Sequence, residues 1–175
     1  MARILVIYST TDGHTVKICR ALQKVIEGNG HQMTLVAITE AGQVALRDFD
    51  KIVIGASIRY GKHNPLVFKF IKENQAVLES KPNAFFSVNI VARKPEKNRP
   101  DTNPYLKKFL KLIAWRPKHL EVFAGKLDYP RYGPVDRFMI RFIMLITKGP
   151  TDPSTVVEFT DWKRVDAFGQ LISDM

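Results

Sequence analysis

Seven consecutive residues near the start of the chain have the types and the order that a phosphate-binding loop requires. A short apolar segment, residues 3–8, runs directly into a segment rich in hydroxyl groups, and a helical pattern follows. The first turn of a helix carries unpaired N–H groups at the positive end of its dipole, and both attract an anion. The segment consists of Ser9, Thr10, Thr11, Asp12, Gly13, His14 and Thr15. It therefore predicts a phosphate site.

This motif differs from the common nucleotide-binding motifs. A threonine or aspartate before a helix is also an ordinary N-cap. The loop contains no Gly-x-x-x-x-Gly-Lys, so a P-loop nucleotidase is not indicated. It contains no Gly-x-Gly-x-x-Gly either, so a dinucleotide-binding fold is not indicated. A single phosphate held by hydroxyl and backbone N–H groups suits a mononucleotide such as FMN.

Short apolar segments and amphipathic segments alternate along the chain. Strands are predicted over residues 3–8, 33–38, 51–56, 84–88 and 120–127, and loops over residues 57–61 and 89–103. Helices are predicted after the first loop, at Asn64-Pro65, at Asn103-Pro104 and after Asp161. This alternation predicts one α/β domain over residues 1–175, a doubly wound five-stranded parallel sheet with helices on both faces. Ligands of such sheets bind beyond the C-terminal ends of the strands.

The positive charge of the chain is concentrated in its second half. Twenty-seven Lys and Arg against 17 Asp and Glu give a formal charge of +10, and residues 91–148 hold 14 of the basic and 5 of the acidic residues. A basic surface of this size favours a polyanion, either nucleic acid, an anionic membrane surface or an acidic substrate. Nucleic acid is disfavoured, because the aromatic residues lie at helical spacing with core residues rather than between basic residues of a groove.

Residues 129–150 form an insertion that interrupts the alternation. A turn at 129–134 precedes a segment, 135–148, in which the basic residues share one narrow stripe and nearly all others are apolar. A buried or crossing helix, or half of a dimer interface, explains this pattern as well as a helix lying on a membrane does. The basic surplus favours the membrane. The expected contacts are Arg137, Phe138, Arg141, Phe142, Ile143 and Ile146, together with Met144.

The other reactive residue types indicate little chemistry. Cys19, the single cysteine, lies on the apolar side of the first helix, and we expect it to pack in the core. No metal site is predicted. His14, His63 and His119 lie in or near loops, where histidine is commonly solvated, so no general base is assigned. We expect no signal peptide, and no apolar run reaches the ~20 residues that span a bilayer.

Four stretches of the sequence are similar to one protein family. They are residues 53–61, residues 86–97, residues 129–132 together with 136–140, and residues 160–162. On these stretches the chain resembles proteins of the flavodoxin fold, and within it the quinone-dependent protoporphyrinogen IX dehydrogenases of bacterial haem synthesis. The resemblance covers nearly the whole chain. It implies a flavodoxin-like sheet of order 2-1-3-4-5 with an apolar and basic insertion after the fifth strand.

The resemblance also implies FMN as the cofactor. Its phosphate would lie at residues 9–15, and its ring would lie between two further loops. Because the Asp12 carboxylate would repel a phosphate, we expect it to point away and cap the helix. Tyr60 is a candidate for packing on the ring. The two loops comprise Ser57, Ile58, Arg59, Tyr60 and Gly61, and Asn89, Ile90, Val91, Ala92 and Arg93.

The implied activity is the six-electron oxidation of protoporphyrinogen IX to protoporphyrin IX, with electrons passed to menaquinone or ubiquinone. Arg93, Lys94 and Lys97 are our hypothesis for contacts to the two propionates of this substrate, although a solvated basic loop explains them equally well. The implied location is peripheral, on the cytoplasmic face of the bacterial inner membrane. The oligomeric state is not indicated.

Two other functions remain open on the same fold. One is a soluble flavodoxin-type electron carrier, against which the basic charge and the apolar insertion argue. The other is an NAD(P)H-quinone reductase, for which the sequence contains no nicotinamide-binding fingerprint.

Overall fold

The computed structural model describes residues 1–175 and contains eight strands and five α-helices. The strands are β1 (Arg3–Ser9), β2 (Gln32–Ala37), β3 (Lys51–Arg59), β4 (Lys62–His63), β5 (Asn83–Val88), β6 (His119–Phe123), β7 (Lys126–Asp128) and β8 (Val156–Glu158). The helices are α1 (His14–Gly28), α2 (Pro65–Glu79), α3 (Pro104–Leu112), α4 (Pro134–Ile146) and α5 (Trp162–Asp174). Short 3₁₀ turns include Ile90–Arg93, Pro95–Lys97 and Tyr129–Arg131.

Five of the strands form one parallel sheet in the order β2-β1-β3-β5-β6. Each neighbouring pair in this path is parallel. Counted among the parallel strands alone, the order is 2-1-3-4-5, so the expected topology is confirmed. The strand order reverses between β1 and β3, because the chain moves outward in opposite directions from these two strands. Their following loops diverge and leave a crevice at the C-terminal edge of the sheet.

Both faces of the sheet are buried, and alternate residues of each strand pack on opposite faces. On β1, Leu5 and Ile7 join a cluster formed with α2 and α3, whereas Ile4 and Val6 join a cluster formed with α1 and α5. Cys19 is fully buried in the second cluster, which confirms its predicted role in packing. Burial raises the pKa of its thiol to about 12, so the thiol stays protonated.

The predicted starts of three helices are confirmed by their N-caps. The side chain of Asn64 accepts the N–H of Leu66 at 2.9 Å, and the side chain of Asn103 accepts two N–H groups of α3. Asp161 caps α5 in the same way. The expectation that Asp12 caps α1 is wrong, because the N-cap is Gly13, which has a φ of 85° and makes no side-chain cap.

The predicted loop at 57–61 is a β-hairpin. β3 continues to Arg59 and pairs antiparallel with β4, so that Ile58 lies opposite His63. Tyr60 and Gly61 form the two-residue turn, with φ values of 51° and 75°. Two successive positive φ angles match the right-handed twist of the two strands, which is why this turn closes a tight hairpin.

Two further predictions are wrong in part. The fifth predicted strand, 120–127, is divided at Ala124 and Gly125 into β6 and β7, and β7 leaves the main sheet to pair antiparallel with β8. The sequence predicts an irregular loop over residues 89–103, whereas the structure contains two 3₁₀ turns there. The first 3₁₀ turn is stabilised by the buried side chain of Asn89, which accepts the N–H of Ala92. Because this contact depends on the folded structure, the prolines and basic residues of the sequence do not predict the turn.

The insertion forms a small cluster of its own, beside the two clusters of the main sheet. Leu127, Tyr129 and Tyr132 pack against Ile140 and Met144 of α4. The hydroxyl of Tyr129 donates a 2.6 Å hydrogen bond to the carbonyl oxygen of Pro150 and so joins the two ends of the insertion. No helix of the chain is long and apolar enough to pass through a bilayer.

Replacement of Gly55 tests the close packing at the centre of the sheet. A Cβ atom at this position of β3 would lie 2.1 Å from Cζ of the buried Phe86. We expect Gly55→Ala to lower the free energy of unfolding by about 2 kcal/mol, the usual cost of overpacking a core. Gly42→Ala is the matched control, since a Cβ there meets no atom within 4 Å. Equal denaturant midpoints for the two variants would contradict this packing.

Candidate functional site

The loops after β1, β3 and β5 meet around one cleft at the C-terminal edge of the sheet, as the sequence predicts. The cleft encloses about 990 Å³, part of it open to solvent. Residues from the insertion form its remaining side. The lining residues are Thr10, Thr11, Asp12, His14, Thr15, Ser57, Ile58, Arg59, Tyr60, Gly61, Val88, Asn89, Ile90, Val91, Tyr105, Gly125, Lys126, Asp128, Arg131, Tyr132, Ile140, Ile143 and Met144. We call this space the cleft.

The start of α1 gives the cleft a polar end. The side-chain hydroxyl of Thr15 is buried and makes no hydrogen bond within the protein. A buried hydroxyl without a partner is unfavourable, which makes it a ready donor to a ligand in the cleft. Thr10 shapes the loop, because its hydroxyl accepts the N–H of Gly13 at 3.0 Å. This end of the cleft therefore fits a phosphate group.

His14 is fixed at the same end by a residue near the C-terminus. Its Nε2 lies 2.7 Å from Oγ1 of Thr160, and that hydroxyl donates to the carbonyl oxygen of Ala124 at 2.6 Å. Because the Thr160 proton is already used, Nε2 of His14 is the donor in this contact. Burial lowers the pKa of His14, while the Glu158 carboxylate partly opposes this effect. The imidazole is therefore held as a neutral hydrogen-bond donor.

An ion-pair network joins three parts of the site: the loop at residues 9–15 (the phosphate-type loop), the hairpin at residues 57–63, and α4. Nη2 of Arg59 lies 2.6 Å from Oδ2 of Asp12, and Nη1 of Arg59 lies 3.7 Å from Oδ2 of Asp136. The hydroxyl of Tyr60 also donates to Asp136, which raises the pKa of Tyr60. The Asp12 carboxylate is thus turned toward Arg59, which compensates its charge. Tyr60 lines the cleft, but its hydroxyl is bound to α4.

A buried polar network lies under the loop after β5. Asn89 donates from Nδ2 to Oγ of Ser87, and that hydroxyl lies 2.9 Å from Nε2 of His63. The amides of Asn89 and Asn103 also bond to each other. Oδ1 of Asn89 accepts the N–H of Ala92 and so holds the turn that borders the cleft. Asn89 therefore shapes the cleft through the backbone that it supports.

Helix α4 forms the apolar wall of the cleft and also carries a separate exposed face. Ile140 and Met144 are buried, and Ile143 is half-buried beside them at the cleft. The exposed side of the same helix is apolar as well. Its members are Val135 (74% exposed), Phe138 (70%), Met139 (38%), Phe142 (51%), Leu145 (68%) and Ile146 (65%). One face of α4 thus lines the cleft, and the opposite face is exposed to solvent.

Most of the residues predicted for the cofactor line the cleft, but four do not. Ser9 is buried and borders a small polar pocket beside the cleft. Gly13 shapes the loop without lining the cleft. Ala92 is buried, so it packs in the core instead. Arg93 donates from Nη2 to the carbonyl oxygen of Thr147 at 3.0 Å, which directs its guanidinium toward the end of α4.

The residues predicted for the substrate lie outside the lining of the cleft. Arg93 is held by carbonyl oxygens of its own turn and of the α4 end. Lys94 and Lys97 do not line the cleft either. Ile90 and Val91 of the first 3₁₀ turn line the cleft, whereas Arg93 at its end and the second turn, Pro95–Lys97, do not. The hypothesis that these three residues contact the substrate therefore has no geometric support.

The membrane-facing set also requires correction. Ile143 and Met144 face the cleft rather than solvent, because the buried side of α4 passes through their positions. Arg137 is half-buried and donates from Nε to the carbonyl oxygen of Tyr129 at 3.2 Å. Arg141 is exposed, although its Nε donates to a carbonyl oxygen as well. Membrane contact by the exposed residues of the set stays a prediction.

Several cleft residues could not be assigned from the sequence. Tyr105 lies near Gly61, where a Cβ would lie 3.2 Å from its ring. Lys126, Asp128 and Arg131 belong to β7 and the turn that follows it. The only sequence signal for them was the similarity of residues 129–132, which did not indicate that the insertion would return to the cleft.

Comparison with known proteins gives the family and the fold. The model of a family described as Flavodoxin domain matches residues 5–154. A curated protein of Escherichia coli (strain K12), named Protoporphyrinogen IX dehydrogenase (quinone), is 42% identical over 173 residues, which cover 99% of this chain and 96% of the relative. A protein of Leishmania major with the same name is 41% identical over 95% of this chain and 72% of its own length.

Solved structures share the fold at low sequence identity. The crystal structure of the flavodoxin, WrbA-like protein from Agrobacterium tumefaciens superposes with a TM-score of 0.55. It is 16% identical, and the match covers 99% of this chain and 96% of that protein. The fold is therefore flavodoxin-like, and the family match indicates flavin binding.

The buried imidazole of His63 makes stability depend on pH. Burial lowers the pKa of His63 to about 4, against about 6.5 for an unfolded histidine. Between these values the unfolded chain binds a proton that the folded protein does not bind, so the free energy of unfolding falls as the pH falls. Over this window the loss attributable to His63 is roughly 3 kcal/mol.

Chemical denaturation of wild-type protein and His63→Gln between pH 7 and pH 4 measures this dependence. The variant is expected to show a shallower decline in the free energy of unfolding, with the remaining decline including a part from His14. If the free energy of unfolding declined equally with pH in the two proteins, His63 would have the same pKa in the folded and unfolded states, which would contradict this prediction.

Proposed function

We propose that this chain, which belongs to the flavodoxin-domain family and within it to the quinone-dependent protoporphyrinogen IX dehydrogenases, oxidises protoporphyrinogen IX and passes the electrons to a quinone. The observation that carries the proposal is the similarity to curated dehydrogenases along nearly the whole chain. The product would be protoporphyrin IX, and the acceptor would be menaquinone or ubiquinone. The cleft at the reversal of strand order lies where such sheets bind their ligands.

We further propose that the cofactor is FMN. The phosphate-type loop supplies hydroxyl groups and the first turn of α1, which fit one phosphate. Thr15 would donate to this phosphate, because its buried hydroxyl has no hydrogen-bond partner within the protein. The hairpin at 57–61 and the turn after Asn89 would border the ring. When bound, the flavin supplies the redox chemistry that side chains cannot perform.

The surrounding residues would orient the ligands and exclude water. The apolar wall of α4, formed by Ile140, Ile143 and Met144, suits the apolar surface of a tetrapyrrole or a quinone. Both carboxylates of the cleft are already paired, Asp12 with Arg59 and Asp128 with Lys126. A paired carboxylate is a poor general base, so solvent would accept the protons released by the substrate.

We also propose that the exposed face of α4 rests on an anionic membrane, on the cytoplasmic face of the bacterial inner membrane. The support is a row of exposed apolar side chains on one side of the helix, next to a basic part of the chain. Both reaction partners are apolar enough to partition into lipid. A helix that contacts lipid with one face and lines the cleft with the other would shorten the path of the porphyrinogen and the quinone from the bilayer to the cleft.

Replacement of Thr15 tests the phosphate site. We expect Thr15→Val to weaken FMN binding about tenfold or more, because a hydrogen bond to a charged group contributes about 1.5–3 kcal/mol. The flavin-free variant should be as stable as wild type or more stable, since the buried hydroxyl that is removed had no partner. Thr34→Val, on the exposed side of β2, is the matched control. Isothermal titration and denaturation measure the two effects, and unchanged FMN affinity would contradict the site.

Anaerobic spectroscopy tests the reaction. Protein loaded with FMN should lose its yellow colour when protoporphyrinogen IX is added and regain it when a quinone follows. Protoporphyrin IX should appear in the same sample. Bleaching by NADPH, with no bleaching by protoporphyrinogen IX, would instead favour an NAD(P)H-quinone reductase.

Flotation with phosphatidylglycerol vesicles tests the membrane surface. We expect wild-type protein to float with the vesicles and the double variant Phe142→Asp, Ile146→Asp to remain in the dense fraction, because two charges would enter the acyl region. Leu112→Asp is the matched control, since Leu112 is a 62% exposed leucine at the end of α3. Equal flotation of all three proteins would exclude this face as the contact.

A further inference from the structure

The cleft is built from two chemically different parts. Its polar end is the phosphate-type loop, where hydroxyl groups and the start of α1 meet. Its apolar wall consists of Ile140, Ile143 and Met144, all on one side of α4. A ligand that packs on the apolar wall must itself be largely apolar. Any charge on that ligand then requires a cation near the same wall.

Three cations line the cleft, and two of them are already neutralised. Arg59 lies between the carboxylates of Asp12 and Asp136, at 2.6 Å and 3.7 Å. Nζ of Lys126 lies 3.3 Å from Oδ2 of Asp128. Arg131 is exposed, forms no ion pair, and its guanidinium donates no hydrogen bond within the protein. It is the one cleft cation whose charge is uncompensated.

The backbone that carries Arg131 is firmly held beside the apolar wall. Arg131 ends the 3₁₀ turn Tyr129–Arg131, and both flanking tyrosines are buried in the cluster with α4. The hydroxyl of Tyr129 donates to Pro150, and Arg137 donates to the carbonyl oxygen of Tyr129. A fixed backbone with a free guanidinium is suited to bind a carboxylate, because a planar guanidinium can donate two parallel hydrogen bonds to it.

We propose that Arg131 binds a propionate carboxylate of the porphyrinogen while the macrocycle packs on the apolar wall of α4. This inference rests on the proposed function and specifies how its substrate is recognised. Arg131 takes the role for which the sequence had suggested Arg93, Lys94 and Lys97, none of which lines the cleft. The ligand class is a largely apolar tetrapyrrole macrocycle with carboxylates at its edge. Arg131 is a specificity residue and carries out no chemical step.

Comparison of the diacid with its dimethyl ester tests this role. FMN-loaded wild type, Arg131→Glu and Arg131→Lys are assayed with protoporphyrinogen IX and with its dimethyl ester, both in the same detergent. For Arg131→Glu we expect the KM of the diacid to rise about tenfold, with kcat and the KM of the ester unchanged. Arg131→Lys should restore part of the affinity, since it keeps the charge and loses the paired hydrogen bonds. Arg20→Glu makes the same charge change on the exposed side of α1 and should behave as wild type.

A binding measurement separates this inference from the proposed function. Quenching of porphyrin fluorescence gives the Kd of protoporphyrin IX and of its dimethyl ester without turnover. A Kd that rises about tenfold in Arg131→Glu for the diacid alone supports the role of Arg131. Equal changes for diacid and ester, or no change, would overturn it, as would a wild-type protein that binds no porphyrin. Failure of wild type to oxidise the porphyrinogen overturns the proposed function, while the binding comparison still judges Arg131.

Discussion

The parallel pairing of β1 with β3 is the constraint on which the rest of the structure depends. These strands are paired from Ile4 opposite Lys51 to Ser9 opposite Ala56, so both end at the same edge of the sheet. Because the chain leaves them in opposite directions, the two loops cannot close over each other. The crevice between them is therefore a consequence of topology, and side chains only determine what it binds. The buried hydroxyl of Thr15 offers that space a hydrogen-bond donor that no other protein group uses.

The insertion adds a further side to the crevice, and the resulting cleft stays partly open to solvent. Helix α4 presents three apolar side chains to the cleft and keeps its other apolar side exposed. Its N-terminal end is bound to the hairpin through Asp136, which meets both Arg59 and Tyr60. The polar loop at residues 9–15 and the apolar wall of α4 thus border the same cleft. If the proposed function holds, this arrangement lets one cleft hold both a mononucleotide and a large apolar substrate.

The sequence predicted the elements whose signals are local. Buried strands, the caps at Asn64 and Asn103, and the loop before α1 depend on neighbouring residues, and the structure contains all of them. The hairpin at 57–63 and the separation of β7 from β6 depend on tertiary pairing, so periodicity could not reveal them. The placement of Arg93 also depends on tertiary structure. Its positive charge suggested a contact with the substrate, but in the folded chain its guanidinium donates to backbone carbonyl oxygens.

The contact of Asp136 with the hairpin couples two distant parts of the chain. Without α4, Arg59 would keep a single carboxylate partner, and the left-handed Tyr60 would lose the contact of its hydroxyl. Substitutions in the hairpin and at Asp136 are therefore expected to have non-additive effects on stability, although Tyr60 and Asp136 are 76 residues apart in the chain.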